Sequence, residues 1–156
     1  MSLIDDRLTE LGISLPSVAA PVAAYVPAVT AGNLVWTSGQ LPFVDGALPE
    51  TGKVGVHESN VSPDDAATYA RTAALNALAA IKAEIGSLDR IVRVVKVVGF
   101  VASNPDFTGQ PAVINGASTV IGEIFGERGV HARSAVGVAV LPLDSPVEVE
   151  LVVEFA

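Results

Sequence analysis

The sequence predicts an α+β fold: a mostly antiparallel β-sheet with two helices packed on one face, plus a short N-terminal helix. Three observations lead there. Apolar residues recur at helical spacing over about 62–85 and 110–125. Five segments, 25–30, 34–38, 90–102, 132–141 and 147–155, are mostly rich in valine and are bounded by turn-forming residues, as strands are. Strands and long helices follow the order β-β-α-β-α-β-β with no repeat, low-complexity tract or linker, so residues 1–156 are expected to form a single domain.

Each element has a local reason. Ser2 can cap a helix with Asp5 and Asp6 in its first turn, Gly12 as its stop, and Leu3, Leu8 and Leu11 as its apolar stripe. Residues 13–24, rich in Pro and Ala, read as extended. Ala31-Gly32-Asn33 suits a hairpin turn between the first two strands. Residues 40–61 hold Pro42, Asp45-Gly46, Pro49 and Gly52 and read as a long irregular loop, a type of segment that is usually functional or mobile. Ser62-Pro63-Asp64-Asp65 starts the first long helix with a cap, Pro at the first position and early acids. Ala70, Ala74, Leu78, Ile81 and Ile85 share one face of it, and Gly86 stops it. Residues 90–102 are the clearest strand, ended by Asn104-Pro105-Asp106. The second long helix is expected to bury Val113, Ala117, Val120, Ile121 and Ile124, with Gly116 and Gly122 weakening it locally.

Composition narrows the function classes. At 156 residues and 50% hydrophobic content the chain can build a real core, and the excess of apolar residues points to surface buried between subunits. A net charge of −8 makes a poor partner for phosphate backbones, so no nucleic-acid partner is expected. With no cysteine there is no disulfide, thiolate nucleophile or Cys-ligated metal. The acidic start MSLIDDRLTELG lacks the pattern of a secretory signal, and no apolar stretch is uniform enough to span a bilayer. A soluble cytoplasmic protein with no membrane partner is the expectation.

The last two strands draw the chemistry together. Alternation puts Val136, Val138 and Val140 on one face and Arg133, Ala135, Gly137 and Ala139 on the other. In the final strand Val147, Val149, Leu151 and Val153 alternate with Glu148, Glu150 and Glu154. With both valine rows under the helices, Arg133 and Glu148 share the opposite face, whose small residues leave room for a ligand and whose cover is expected to be a neighbouring subunit. Read as a hairpin, the pair lies near opposite ends, roughly 15–25 Å apart at ~3.3 Å per residue. The expectation is therefore a site shared across a subunit interface.

Several motifs occur together: Tyr25-Val26-Pro27-Ala28-Val29, Thr37-Ser38-Gly39-Gln40-Leu41-Pro42, Asn104-Pro105-Asp106-Phe107, Ala132-Arg133-Ser134, Leu141-Pro142 and Val147-Glu148-Val149-Glu150. In order and spacing this set resembles the Rid/YjgF family, formerly labelled endoribonuclease L-PSP, over nearly the whole chain from about residue 20. The resemblance implies a chorismate-mutase-like fold and a barrel-shaped homotrimer with clefts between subunits. It implies hydrolysis of reactive 2-enamine and 2-imine acids, such as 2-aminoacrylate, to a 2-keto acid and ammonia, without metal or cofactor. By the same resemblance Arg133 holds the substrate carboxylate and Glu148 positions the attacking water. Tyr25, Ser38, Gly39, Ala135 and Pro142 line the site, with Asn115 and Ser118 both candidates for the polar group on the second long helix. Ala135 stands where archetypal members carry cysteine.

The chemistry is sound on its own terms. A bidentate guanidinium is the best holder of a planar carboxylate, and imine hydrolysis needs only a positioned water and a carboxylate to move protons. The competing reading is a non-catalytic trimer that binds or regulates through a small carboxylate metabolite. His57 and His131 lack a clear third ligand for a metal, and His131 stands close enough to Arg133 to line the cleft mouth. The glycines near 122–129 do not form a phosphate loop.

Overall fold

A computed structural model describes residues 2–18 and 24–156. Three helices, α1 (Leu3–Glu10), α2 (Pro63–Ile85) and α3 (Gln110–Phe125), accompany five strands: β1 (Ala28–Ala31), β2 (Leu34–Thr37), β3 (Ile91–Ala102), β4 (Ala132–Val138) and β5 (Val147–Phe155). The α+β class is as expected. The strands form one sheet in the order β1-β2-β5-β3-β4. All neighbours are antiparallel except β3 and β4, which run parallel.

The caps behave as the sequence suggests. The Ser2 hydroxyl accepts from the Asp5 amide and the Ser62 hydroxyl from the Asp65 amide, each worth about 1 kcal/mol to its helix. On α1, however, the buried residues are Ile4 and Leu8, while Leu3 is exposed. The reason is that the Asp89 carboxylate accepts from the Leu3 and Ile4 amides and so fixes the helix's rotation. The five apolar positions expected on α2 and the five on α3 are all buried. They face Val35, Val94, Val97, Val149, Leu151 and Val153 of the sheet, each buried Val, Leu or Ile side chain contributing roughly 1.5–3 kcal/mol.

Gly32 has a positive φ of 64° at the first central position of the β1–β2 turn, which pairs Ala31 with Leu34. Residues 13–18 carry no regular element, and 19–23 of the expected extended stretch lie outside the described residues. The 40–61 loop is irregular but pinned. Gln40 bridges Val149, and Val54 bridges both Val61 and Ser103. The Asn76 amide donates to the Leu41 and Phe43 carbonyls, and the Tyr69 hydroxyl donates to Glu50.

Two expectations about the last strands fail. They do not form a hairpin, because β3 lies between β4 and β5. The chain crosses the end of β3 through the Pro142–Asp144 turn, where Leu143 and Asp144 both take positive φ. In addition, the valine row of β4 is not under the helices. Val136 is 44% and Val140 67% exposed, while Ala135 packs against the core. The small row Ala135 and Gly137 faces α3, together with Gly99 of β3. A Cβ at Gly99 would overlap the Ile114 side chain, and one at Gly137 would crowd Gln110 and Ser103. The space left by small residues is filled by α3.

Candidate functional site

Arg133 is the second residue of β4, pairing with Val97 at the sheet edge. Because the small residues of β3 and β4 let α3 lie close, two α3 side chains reach the guanidinium. Its Nη1 donates to Asn115 Oδ1 at 2.8 Å and to Ser118 Oγ at 3.2 Å. Both acceptors are neutral. Among the described residues no carboxylate lies within ion-pair distance of Arg133. Asn115 and Ser118 are thus not alternatives, since the structure brings both to the same nitrogen. With Nη1 spent on the fold, the edge formed by Nε and Nη2 keeps the fork geometry that suits a carboxylate.

Glu148 lies on the other face of the sheet. It pairs with Phe100, and the alternate residues Val147 and Val149 are fully buried beneath the helices. Its carboxyl packs on Gly39, where a Cβ would collide with it. Burial, and then the neighbouring charge of Glu150, raise its pKa above the ordinary carboxylate value. Such a carboxyl is suited to exchanging protons nearer neutrality than a solvated one.

The expectation that Arg133 and Glu148 share a face is therefore wrong within one chain. They sit on opposite faces, on strands separated by β3 and offset by three positions along it, about 14 Å apart from strand spacing and rise. The Ser38 hydroxyl donates to the Val26 carbonyl at 2.6 Å, and the Ser38 amide to the Pro27 carbonyl at 2.8 Å. These bonds tie the segment following Tyr25 to the Ser38-Gly39 corner beside Glu148. Tyr25 itself precedes β1 rather than lying in it, and is exposed. Ala135 faces α3, two residues beyond Arg133. Pro142 opens the turn at the opposite end of β4 from Arg133, on the side of the sheet where β5 and Glu148 begin.

One participant falls outside the resemblance. His131 Nδ1 lies 2.6 Å from the Gly129 carbonyl, and its Nε2 lies 2.9 Å from Ser118 Oγ. Its only sequence signal is its position two residues before Arg133.

Fold and site together define an α+β protein with an edge-strand arginine held by two neutral acceptors and, on the other sheet face, a half-buried carboxyl whose pKa is raised. A family model described as "YjgF/chorismate mutase-like, putative endoribonuclease" matches residues 5–155, and the chain belongs to this YjgF family. It is 45% identical over 149 residues to Protein TCP17 of Trypanosoma cruzi, covering 95% of this chain and 91% of that one. It is 32% identical to the 2-iminobutanoate/2-iminopropanoate deaminase of Escherichia coli K12, over 90% of this chain and 94% of the enzyme. The crystal structure of Atu1372, a protein of unknown function from Agrobacterium tumefaciens, superposes with a TM-score of 0.89 at 44% identity, over 99% of this chain and 93% of that one.

Proposed function

We propose that this protein hydrolyses 2-enamine and 2-imine acids of the 2-aminoacrylate type to 2-keto acids and ammonia, at clefts between the subunits of a homotrimer in the cytoplasm. The observation that carries the reading is Arg133. A guanidinium held by two neutral acceptors through one nitrogen, with no carboxylate partner among the described residues, is prepared for an external acid. The apolar outer face of the sheet supports assembly. Trp36 is 49%, Val29 50% and Val136 44% exposed, on the face that Glu148 shares. In the proposed trimer, a partner seated against that face and the β4 edge supplies the Arg133 that one chain keeps about 14 Å from its own Glu148.

The chemistry is then short. Arg133 holds the substrate carboxylate through Nε and Nη2. The enamine takes a proton at its terminal carbon to become the iminium. Glu148, as carboxylate, accepts a proton from the attacking water, and the oxygen bonds to the imine carbon. That proton passes from Glu148 to the amine nitrogen; as the C–N bond breaks and ammonia leaves, the carbinolamine hydroxyl gives its proton to Glu148 and the carbonyl forms, so the proton taken up at the enamine carbon is returned. A substrate so reactive needs only a modest lowering of the barrier. The net charge of −8 disfavours a ribonuclease reading, despite the wording of the family description.

The test couples the protein to a dehydratase that generates 2-aminoacrylate and follows pyruvate release over the spontaneous rate. Acceleration is expected. Arg133→Ala is expected to reduce it by about 100-fold or more through lost positioning. Glu148→Gln is expected to abolish turnover while keeping carboxylate binding. No acceleration from an intact oligomer that still binds a small carboxylate would instead make the protein a binding or regulatory trimer.

A further inference from the structure

We propose that His131 is a positioning residue for the arginine anchor, acting through the hydroxyl of Ser118 and so setting how tightly the site holds a carboxylate. The inference rests on the proposed carboxylate site at Arg133 and adds the group that orients it.

For a neutral imidazole the geometry fixes the direction of every bond in the chain. A backbone carbonyl can only accept, so His131 Nδ1 carries the proton donated to Gly129 at 2.6 Å. In the neutral ring Nε2 is then an acceptor, and the hydroxyl 2.9 Å away must be the donor, so Ser118 gives its single proton to His131. That leaves the Ser118 lone pairs for Arg133 Nη1, at 3.2 Å. Asn115 Oδ1, acceptor-only, takes the second Nη1 hydrogen at 2.8 Å. The relay from Gly129 through His131 and Ser118 ends on the guanidinium.

Two structural features make the relay stiff. Gly129 closes the 3-10 turn Gly126–Gly129 between α3 and β4, and a Cβ there would press on the Ile121 carbonyl. The turn is therefore held against the helix that carries Ser118. His131, just before β4, and Arg133, its second residue, both reach α3. Removing the imidazole would free the Ser118 proton to swing toward Arg133, where it opposes the Nη1 hydrogens. The guanidinium would keep Asn115 but lose its second fixed contact, and the Nε–Nη2 edge would no longer be held at one angle.

The experiment measures binding as well as turnover. 2-Oxobutanoate, a 2-keto acid of the product class, is titrated calorimetrically into wild type, His131→Leu and His131→Gln, with thermal melting and oligomeric state recorded for each. Gln is chosen because its amide oxygen can reach the position of imidazole Nε2. The expected result is about tenfold weaker binding in His131→Leu and recovery to within about threefold of wild type in His131→Gln. In the coupled assay KM should rise in His131→Leu while kcat changes little. Equal binding by wild type and His131→Leu overturns the proposal and leaves the enzyme reading intact. Loss in both variants alike also overturns it, because a merely structural histidine gives that result. A wild type that binds the keto acid without hydrolysing the imine removes the enzyme reading, and the affinity comparison of the two variants then decides the relay by the same criteria. A wild type that neither binds nor turns over removes both.

Discussion

Position 39 is a glycine because the Glu148 carboxyl occupies the space where any other side chain would begin. The expected consequence is specific. Gly39→Ala should push the carboxyl out of place and cut imine hydrolysis by about 10–100-fold, with carboxylate binding at Arg133 retained. Comparing kcat with 2-oxobutanoate affinity checks this. Glu148 also carries a pH signature. Its pKa is raised, first by burial and then by Glu150, so the acid limb of the rate profile should lie above the ordinary glutamate range. Glu150→Gln should move that limb to lower pH. For stability the sign is opposite to that of a salt-bridged acid. The folded state binds the Glu148 proton more tightly than the unfolded chain, so stability falls as pH rises from the unfolded value through the folded one. Glu148→Gln should therefore raise the melting temperature at neutral pH, with the gain shrinking as pH falls through the raised folded value and gone below the ordinary glutamate value. The roles proposed for Arg133 and Glu148 come from the motif set. That they sit on opposite faces did not, because alternation says which residues share a face but not which face meets the helices.

At the scale of elements, two glycines in α3 test propensity against packing. Both lower helix propensity, and both look like local weak points in the sequence. At Gly116 a Cβ would strike the Ala67 carbonyl of α2, whereas at Gly122 it would meet open space. Gly122→Ala should stabilise the protein by up to about 1 kcal/mol. Gly116→Ala should destabilise it by about 1–3 kcal/mol, since a backbone carbonyl in a helix cannot give way cheaply. Chemical denaturation of the two variants separates the cases. The same logic explains why the helices were legible and the strand pairing was not. The apolar faces of α2 and α3 follow from spacing within each segment. The parallel pairing of β3 with β4 depends on a crossover by α3, and adjacency in sequence suggested a hairpin instead.

At the scale of the whole molecule, the proposed assembly rests on the outer sheet face. Val29, Trp36 and Val152 form one rung across β1, β2 and β5, and Val136 stands opposite Phe100 on β4. Val136→Glu should leave the single-chain fold intact, because the side chain is already 44% exposed, yet dissociate the oligomer. Sedimentation should show a smaller species with an unchanged circular dichroism spectrum. Imine hydrolysis should disappear with the oligomer, and in the unaltered protein the specific activity should fall on dilution below the dissociation constant.

By itself the sequence determined the class of fold, the caps of α1 and α2, the buried faces of α2 and α3, and, through its ordered motifs, the family. These rest on short-range periodicity and on residue types that leave few choices. Only the tertiary structure decided that β3 separates the last two strands, that α3 fills the space beside the small residues, and that Asn115, Ser118 and His131 converge on Arg133. Those outcomes depend on which faces pack together, and a face chooses its partner through contacts between residues distant in the chain.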